Sequence, residues 1–194
     1  YHRCGSSCQP VEYYNFRIMP GFSTPEWAKG AVMYQIFVDR FCNGDPANDV
    51  EDGEYIYIGE PVKKVKNWTE APAAMDIRRF HGGDLKGVLD KLDYLEELGV
   101  EVIYFNPLFV SPSNHKYDIQ DYTKYQIRTG SRKNLEASNQ LFAKLVQEMH
   151  RRGMKVILDG VFNHCGSFNK WLDRERIYEP QEAYEKGAFV SAKS

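Results

Sequence analysis

The sequence predicts an α/β fold of parallel strands joined by helices, and three observations carry the prediction. Short apolar runs rich in β-branched and aromatic residues alternate with segments of helical period. Each helix returns to the next strand across a single glycine, and every long loop follows a strand rather than a helix. Ala31–Val38 is the first strand, ended by the polar pair Asp39-Arg40. Leu85, Val88, Leu89, Leu92, Leu95 and Leu98 recur at helical spacing, with Asp84 placed as N-cap and Gly99 as the stop. Val100–Phe105 is a second strand, closed by Asn106-Pro107. Leu135, Ser138, Phe142, Leu145, Val146 and Met149 trace a second helix, with Arg151 and Arg152 set against its dipole and Gly153 ending it. Met154–Phe162 is the third strand.

Strands this apolar, in β-α-β-α-β order, belong in a sheet buried on both faces and joined by right-handed crossovers. Two architectures share that pattern, an open doubly wound sheet and a (β/α)₈ barrel. The open sheet usually carries a glycine-rich phosphate turn after its first strand. Here that strand leads into Asn43-Gly-Asp-Pro-Ala-Asn-Asp49 with no G-x-G-x-x-G, so we expect part of a barrel: its first three β/α units. The long loops, 39–83 and 106–133, both follow strands, which is the face where such folds build their pockets.

Composition narrows the function classes. In 194 residues, 25 Lys and Arg oppose 27 Asp and Glu, a net charge of -2, which leaves no basic surplus for nucleic acid or an anionic membrane. No apolar run approaches the roughly 18 residues that a spanning helix requires. Cys4, Cys8, Cys42 and Cys165 match no zinc-ligand spacing and are expected as free thiols, with a Cys4–Cys8 bridge as the alternative.

Four segments could carry chemistry. The loop Asn43–Asp49 gathers oxygen-bearing side chains around a glycine and a proline, the donor chemistry a hard cation such as Ca²⁺ requires, although a solvated turn uses the same residues. In His81-Gly-Gly-Asp84, Asp84 either caps the helix or offers a carboxylate to a cation. In Ser111–Asp118, His115 and Tyr117 suit a sugar, with a ring against the pyranose face and polar tips on its hydroxyls. In Asp159–His164, strand alternation would set Asp159, Val161 and Asn163 on one face with His164 at the rim; an Asp in an apolar strand requires a partner, a salt bridge or a site.

Together Val32-Met-Tyr-Gln-Ile-Phe-Val-Asp-Arg-Phe41, His81-Gly-Gly-Asp-Leu85, Asn106-Pro-Leu-Phe109, Asn114-His-Lys-Tyr-Asp118 and Asp159-Gly-Val-Phe-Asn-His164 resemble the α-amylase family of glycoside hydrolases. Within it the chain looks most like the neopullulanase and cyclomaltodextrinase group, from about Trp27 to Asp173. The resemblance implies a retaining α-glucan hydrolase or transglycosylase on a (β/α)₈ barrel, acting on α-1,4 and in some members α-1,6 linkages or on cyclodextrins. It implies a structural calcium held by Asn43, Asp45, Asn48, Asp49, the Gly82 carbonyl and Asp84. Tyr117 would stack on the sugar at the cleavage subsite with His115 beside it, His164 would hydrogen-bond that sugar, and Asp159 would hold the network around the catalytic carboxylates without being the nucleophile. Asn163 matches a second calcium ligand that this group often lacks.

The nucleophile and acid of a retaining glycosidase stand about 5 Å apart. In the family they sit on later strands than these three, so no catalytic carboxylate is expected in this chain and no hydrolysis by it alone. Barrels need roughly 250 residues, and three strands leave open edges. The chain thus reads as an amino-terminal portion of a longer enzyme: 1–26 a linker or the end of a preceding domain, 27–166 the start of the barrel, 167–194 the start of the insertion after strand three. Between Tyr122 and Asn134 the family's Asp-Pro-x-Phe-Gly type segment is replaced by Thr-Lys-Tyr-Gln-Ile-Arg-Thr-Gly-Ser-Arg-Lys, a departure from the pattern. The group resembled points to the cytoplasm. The competing reading is a non-catalytic module that binds calcium and maltooligosaccharide, which would have to bind sugar and melt cooperatively on its own.

Overall fold

The structure is a computed structural model describing residues 19–72, 74–125, 135–174 and 187–188. Two units are resolved. Up to Ala31 the described chain holds one 3₁₀ turn, Glu26–Ala28. From Val32 onward the second unit carries the elements β1 (Met33–Ile36), β2 (Ile56–Tyr57), β3 (Glu60–Pro61), β4 (Lys63–Lys64), β5 (Arg79–Phe80), α1 (Leu85–Asp90), α2 (Leu92–Glu97), β6 (Val102–Phe105), β7 (Phe109–Val110), β8 (Asp121–Tyr125), α3 (Leu135–Arg151) and β9 (Lys155–Leu158).

β1, β6 and β9 form one parallel sheet in the order β1-β6-β9, in step from Met33↔Val102↔Lys155 to Ile36↔Phe105↔Leu158. The shared register brings all three carboxyl ends to one rim, so the loops that leave Phe37, Asn106 and Asp159 start side by side. Central β6 is almost wholly buried, whereas β1 and β9, at the sheet's edges, expose Met33 and Leu158.

Helices and strands are joined by the turns the glycines predict. At Gly99 (φ +80°) the N–H of Val100 reaches back to the Leu95 carbonyl at 3.0 Å and that of Gly99 to Glu96 at 2.9 Å; Met154→Met149 and Gly153→His150 repeat the pair at Gly153 (φ +79°). These are Schellman closures, and the apolar contact that accompanies them is Val100 with Leu95 and Met154 with Met149, all buried. Asp84 caps α1 by accepting from the Gly87 N–H at 2.6 Å.

Three expectations are corrected. The single helix expected from Leu85 to Leu98 breaks at Lys91 (ψ 11°), where its N–H tightens onto Val88; the stripe Leu85, Val88, Leu92, Leu95 still faces the core, but Leu98 is exposed. The strands are shorter than their apolar runs, and β9 stops at Leu158, because pairing ends where β6 turns away at Asn106. Strand alternation therefore does not extend through Asp159–His164, and Asn163 is exposed rather than aligned with the buried Val161.

The main core joins Ile36, Val38, Leu85, Val88, Leu92, Leu95, Ile103, Phe105, Phe142, Leu145 and Met149. A second, small core lies within the first long loop: Val50, Tyr57, Val62 and Phe80, with Tyr55, Ile77 and Phe168 packed against it. Its frame is the hairpin β2–β3 and the parallel pair β4–β5. The loop after β1 is thus a folded layer. Cys42 and Cys165 are free thiols held above the usual thiol range by burial; Cys4 and Cys8 lie outside the described residues.

Candidate functional site

The rim of the sheet carries two constellations. The first forms where the loop after β1 meets the start of α1. Both oxygens of the fully buried Asp84 are occupied: Gly44 N–H (3.1 Å), Asp45 N–H (3.1 Å) and the Asn48 amide (2.8 Å) donate to it alongside Gly87. Asp45 turns back to cap the short turn Pro46–Asn48 through the Ala47 N–H. Asp49 is buried and accepts from the Asn43 amide at 2.7 Å, while its other oxygen lies 3.2 Å from the Lys64 ammonium. Burial raises the Asp49 carboxyl above the usual carboxylate range, against the opposing pull of Lys64 and Asn43. Gly82 (φ +87°) admits no side chain, since a Cβ would come within 2.4 Å of Asp49 Oδ1 and 2.7 Å of Asn43 Nδ2.

The six residues expected to bind calcium fall into two neighbouring contact groups, Asp45 and Asn48 around the Asp84 carboxylate and Asn43 and Gly82 around the Asp49 carboxylate. Among the described residues no three carboxylate, imidazole or thiol groups gather into a metal cluster of their own. The side chains of these residues carry amide and carboxylate oxygens, the hard donor chemistry that Ca²⁺ takes. Asn43 Oδ1 is buried without a hydrogen-bond partner, an oxygen that a cation would satisfy. The residues present fit such an ion, with Asp84 acting first as the organiser of the loop.

Asp39, in the 3₁₀ turn Val38–Arg40 just past β1, ties this loop to the sheet: its carboxylate accepts from the N–H groups of His81 (3.1 Å) and Gly82 (3.2 Å). The His81 imidazole, edge-on to Trp68, is raised above its usual range chiefly by Asp39.

The second constellation crosses all three strand ends. Gln35 of β1 donates through Nε2 to Asn106 Oδ1 at 2.8 Å; Asn106 Nδ2 approaches the Tyr117 hydroxyl at 3.5 Å; and that hydroxyl donates to Asp159 Oδ2 at 2.7 Å. Asp159, just past β9, thus has its partner in Tyr117, whose phenol is pushed up to about 12 by burial and by this carboxylate. His115 stacks with Tyr117 (centroids 6.1 Å apart, 24° between planes) and accepts the Tyr117 N–H at Nδ1 (3.1 Å). Burial lowers its pKa, so at neutral pH the ring is uncharged and, with Nδ1 accepting, its proton sits on Nε2, available to a hydroxyl. His164 is exposed and is held through its main chain: the Tyr122 hydroxyl reaches its carbonyl (2.9 Å) and that of Val161 (2.6 Å).

The loop that presents Tyr117 is braced from beneath. Asp118 accepts from the hydroxyls of Tyr57 (2.5 Å), Ser111 (2.6 Å) and Ser113, and the Asn114 amide donates to the carbonyls of Asp76 (2.5 Å) and Arg79 (2.8 Å). Lys116 (φ +61°) is buried where the carboxylates of Asp39 and Asp118 face it.

Sequence reasoning missed Gln35, Lys116 and the pair Tyr122–Trp171, whose rings stack 5.3 Å apart at 6°. For Gln35 the available signal was a polar residue interrupting an apolar strand; for Trp171, an aromatic close behind the third strand.

Residues 35–190 match the family model described as alpha amylase, catalytic domain. The chain is 50% identical over 149 residues to Neopullulanase 2 of Thermoactinomyces vulgaris, covering 75% of this chain and 21% of that protein. To an amylopullulanase of Thermoanaerobacter thermohydrosulfuricus it is 46% identical over 168 residues, covering 80% and 11%. Among solved structures, the cyclic alpha-maltosyl-(1→6)-maltose hydrolase from Arthrobacter globiformis matches with a TM-score of 0.65 and 31% identity, over 88% of this chain and 35% of that one. The chain thus spans about a tenth to a fifth of the length of these curated relatives. With the family model matched over most of its length and its parallel strands joined by helices as in these structures, the chain belongs to the α-amylase family of glycoside hydrolases, within it to the neopullulanase and cyclomaltodextrinase group, and holds part of the barrel.

Proposed function

We propose that this chain forms the amino-terminal part of the catalytic barrel of a retaining α-glucan hydrolase or transglycosylase acting on α-1,4-linked glucans, on α-1,6 linkages or on cyclodextrins. One observation carries the reading: the chain of contacts Gln35–Asn106–Tyr117–Asp159, which fixes a tyrosine ring over the shared rim of all three parallel strands. In this reading Tyr117 covers the apolar face of a glucose, His115 Nε2–H and His164 hydrogen-bond its hydroxyls, and Asp159 holds Tyr117 in place. The nucleophile and general acid would come from strands that follow in the complete barrel. Neopullulanase, amylopullulanase and cyclic maltosyl-maltose hydrolase are the activities named for similar proteins, and all concern α-glucans.

Calcium would be held by Asn43, Asp45, Asn48, Asp49, the Gly82 carbonyl and Asp84, and supplies charge that cross-links the first loop to the start of α1. The orphaned Asn43 oxygen and the side-chain-free approach at Gly82 support it.

Calorimetric titration of maltotriose into the chain tests the sugar site. Binding is expected in the wild type and is expected to weaken at least tenfold in Tyr117→Ala, which removes the ring; equal binding by both overturns the assignment of Tyr117. Reading the coding sequence past the codon for Ser194 tests the enzyme: a following strand with a Gly-Phe-Arg-x-Asp type motif is expected, and a stop codon there would instead favour a binding module.

A further inference from the structure

A buried carboxylate without a counter-charge is costly, so any loop that withdraws Asp49 from water has to neutralise it. One oxygen of Asp49 is 2.7 Å from the Asn43 amide, which brings no net charge. The other faces the Lys64 ammonium at 3.2 Å, and that ammonium also lies 3.0 Å from Glu51. Lys64 is not a loosely placed surface lysine. Its main chain is held twice, by pairing of β4 with β5 in the register Lys64↔Phe80 and by donation of its N–H to Asp52 Oδ1 at 2.8 Å. Phe80 is followed directly by His81 and Gly82, so the strand that carries Lys64 runs beside the strand that leads into Gly82.

We propose that Lys64 is an internal competitor of the divalent cation: its ammonium neutralises Asp49 when no metal is bound, keeps the loop folded in that state, and sets how tightly the metal is held. The inference rests on the calcium reading above and concerns its regulation. Two positive charges cannot both sit against one buried carboxylate without repelling, so each metal ion bound displaces or strains the lysine contact. The loop then gains a cation-free folded form and loses affinity in exchange.

The test uses the full chain and Ca²⁺ alone, with binding followed by calorimetry and unfolding followed with Ca²⁺ and with chelator. Lys64→Gln removes the ammonium, Lys64→Arg keeps the charge, and Lys63→Gln makes the same change in net charge on the exposed neighbour. Lys64→Gln is expected to bind Ca²⁺ about five- to tenfold tighter than the wild type, Lys63→Gln and Lys64→Arg within about twofold of it. In chelator Lys64→Gln should melt below the wild type, and Ca²⁺ should raise its melting point by more than it raises the wild type's. Binding by Lys64→Gln but not by the wild type supports the inference equally. Equal affinities for Lys64→Gln and Lys63→Gln, or weaker binding by Lys64→Gln, would overturn the competitor role while leaving the calcium site standing. If none of the four proteins binds Ca²⁺, the calcium reading fails and the inference fails with it.

Discussion

In the loop after β1, carboxylates collect N–H donors: Asp84 takes three main-chain groups and the Asn48 amide, and Asp39 takes the N–H groups of His81 and Gly82. In the loop after β6 the acceptor is Asp118, which collects three side-chain hydroxyls, and a lysine is buried beside it. The first arrangement fixes the path of the backbone, whereas the second fixes where side chains point. That difference matches the proposed tasks, since a cation is held partly by main-chain oxygens and a sugar is recognised by the orientation of a ring. It also predicts different vulnerabilities.

The largest effect is expected at Asp84. Replacing it with alanine leaves four donors without an acceptor, three of them main-chain groups that cannot rotate away, and removes the cap of α1. We expect a loss of about 3 kcal/mol or more in urea unfolding. A loss below about 1 kcal/mol would show that the loop keeps its path without this carboxylate, against the first half of the comparison.

Next comes Lys116, where the second loop is most exposed to pH. Burial pushes its ammonium down to about 7, only partly offset by Asp39 and Asp118, whereas in the unfolded chain it would titrate near 10.5. Between those values the unfolded chain holds a proton that the folded chain lacks, so this lysine makes stability rise with pH from about 7 upward, by at most ~1.4 kcal/mol per pH unit. Below that window both states are protonated and the slope vanishes. Lys116→Met removes the proton altogether. The stability of the wild type relative to Lys116→Met should therefore climb between pH 7 and 9 in chemical denaturation, and parallel curves would break the expectation.

The Tyr117→Phe change keeps the ring and deletes the hydroxyl, with its bond to Asp159 and its longer contact with Asn106. We expect a loss of about 1 kcal/mol in stability. The double-mutant cycle with Asp159→Asn should show that the two side chains are coupled; additive losses would mean that Tyr117 is positioned by its stack with His115 instead.

What could be read from the sequence divides along the same line. Helix ends were legible because Asp84, Gly99 and Gly153 act within their own turn, through a side-chain cap or a positive φ that the residue type announces. The candidate cation residues were legible as a cluster because most of them fall within seven positions of chain. The small core of Val50, Tyr57, Val62 and Phe80 was not, since its strands are two residues long and too short to show a period. Strand ends were overrun at both edges of the sheet, because an apolar run records where a strand can form and not where its neighbour stops pairing. Gln35 and Asn106 stand 71 positions apart, and nothing local in either announces the other.

The smallest expected effect has the opposite sign and lies in the first loop, where the backbone path dominates. The hairpin β2–β3 turns through Ile58 and Gly59 with φ of 49° and 75°, the paired positive values of a type I′ turn. Glycine takes that conformation freely; a β-branched side chain is crowded there, and Ile58 is exposed, so no packing repays the crowding. Asparagine tolerates the left-handed region and is the usual residue at that position of the turn. Ile58→Asn should therefore gain about 0.5–1 kcal/mol in thermal unfolding, with no change in maltotriose binding. A loss instead would mean that the isoleucine is held in place by a contact that outweighs its backbone strain, and that the path of this loop depends on side chains as much as the path of the loop after β6 does.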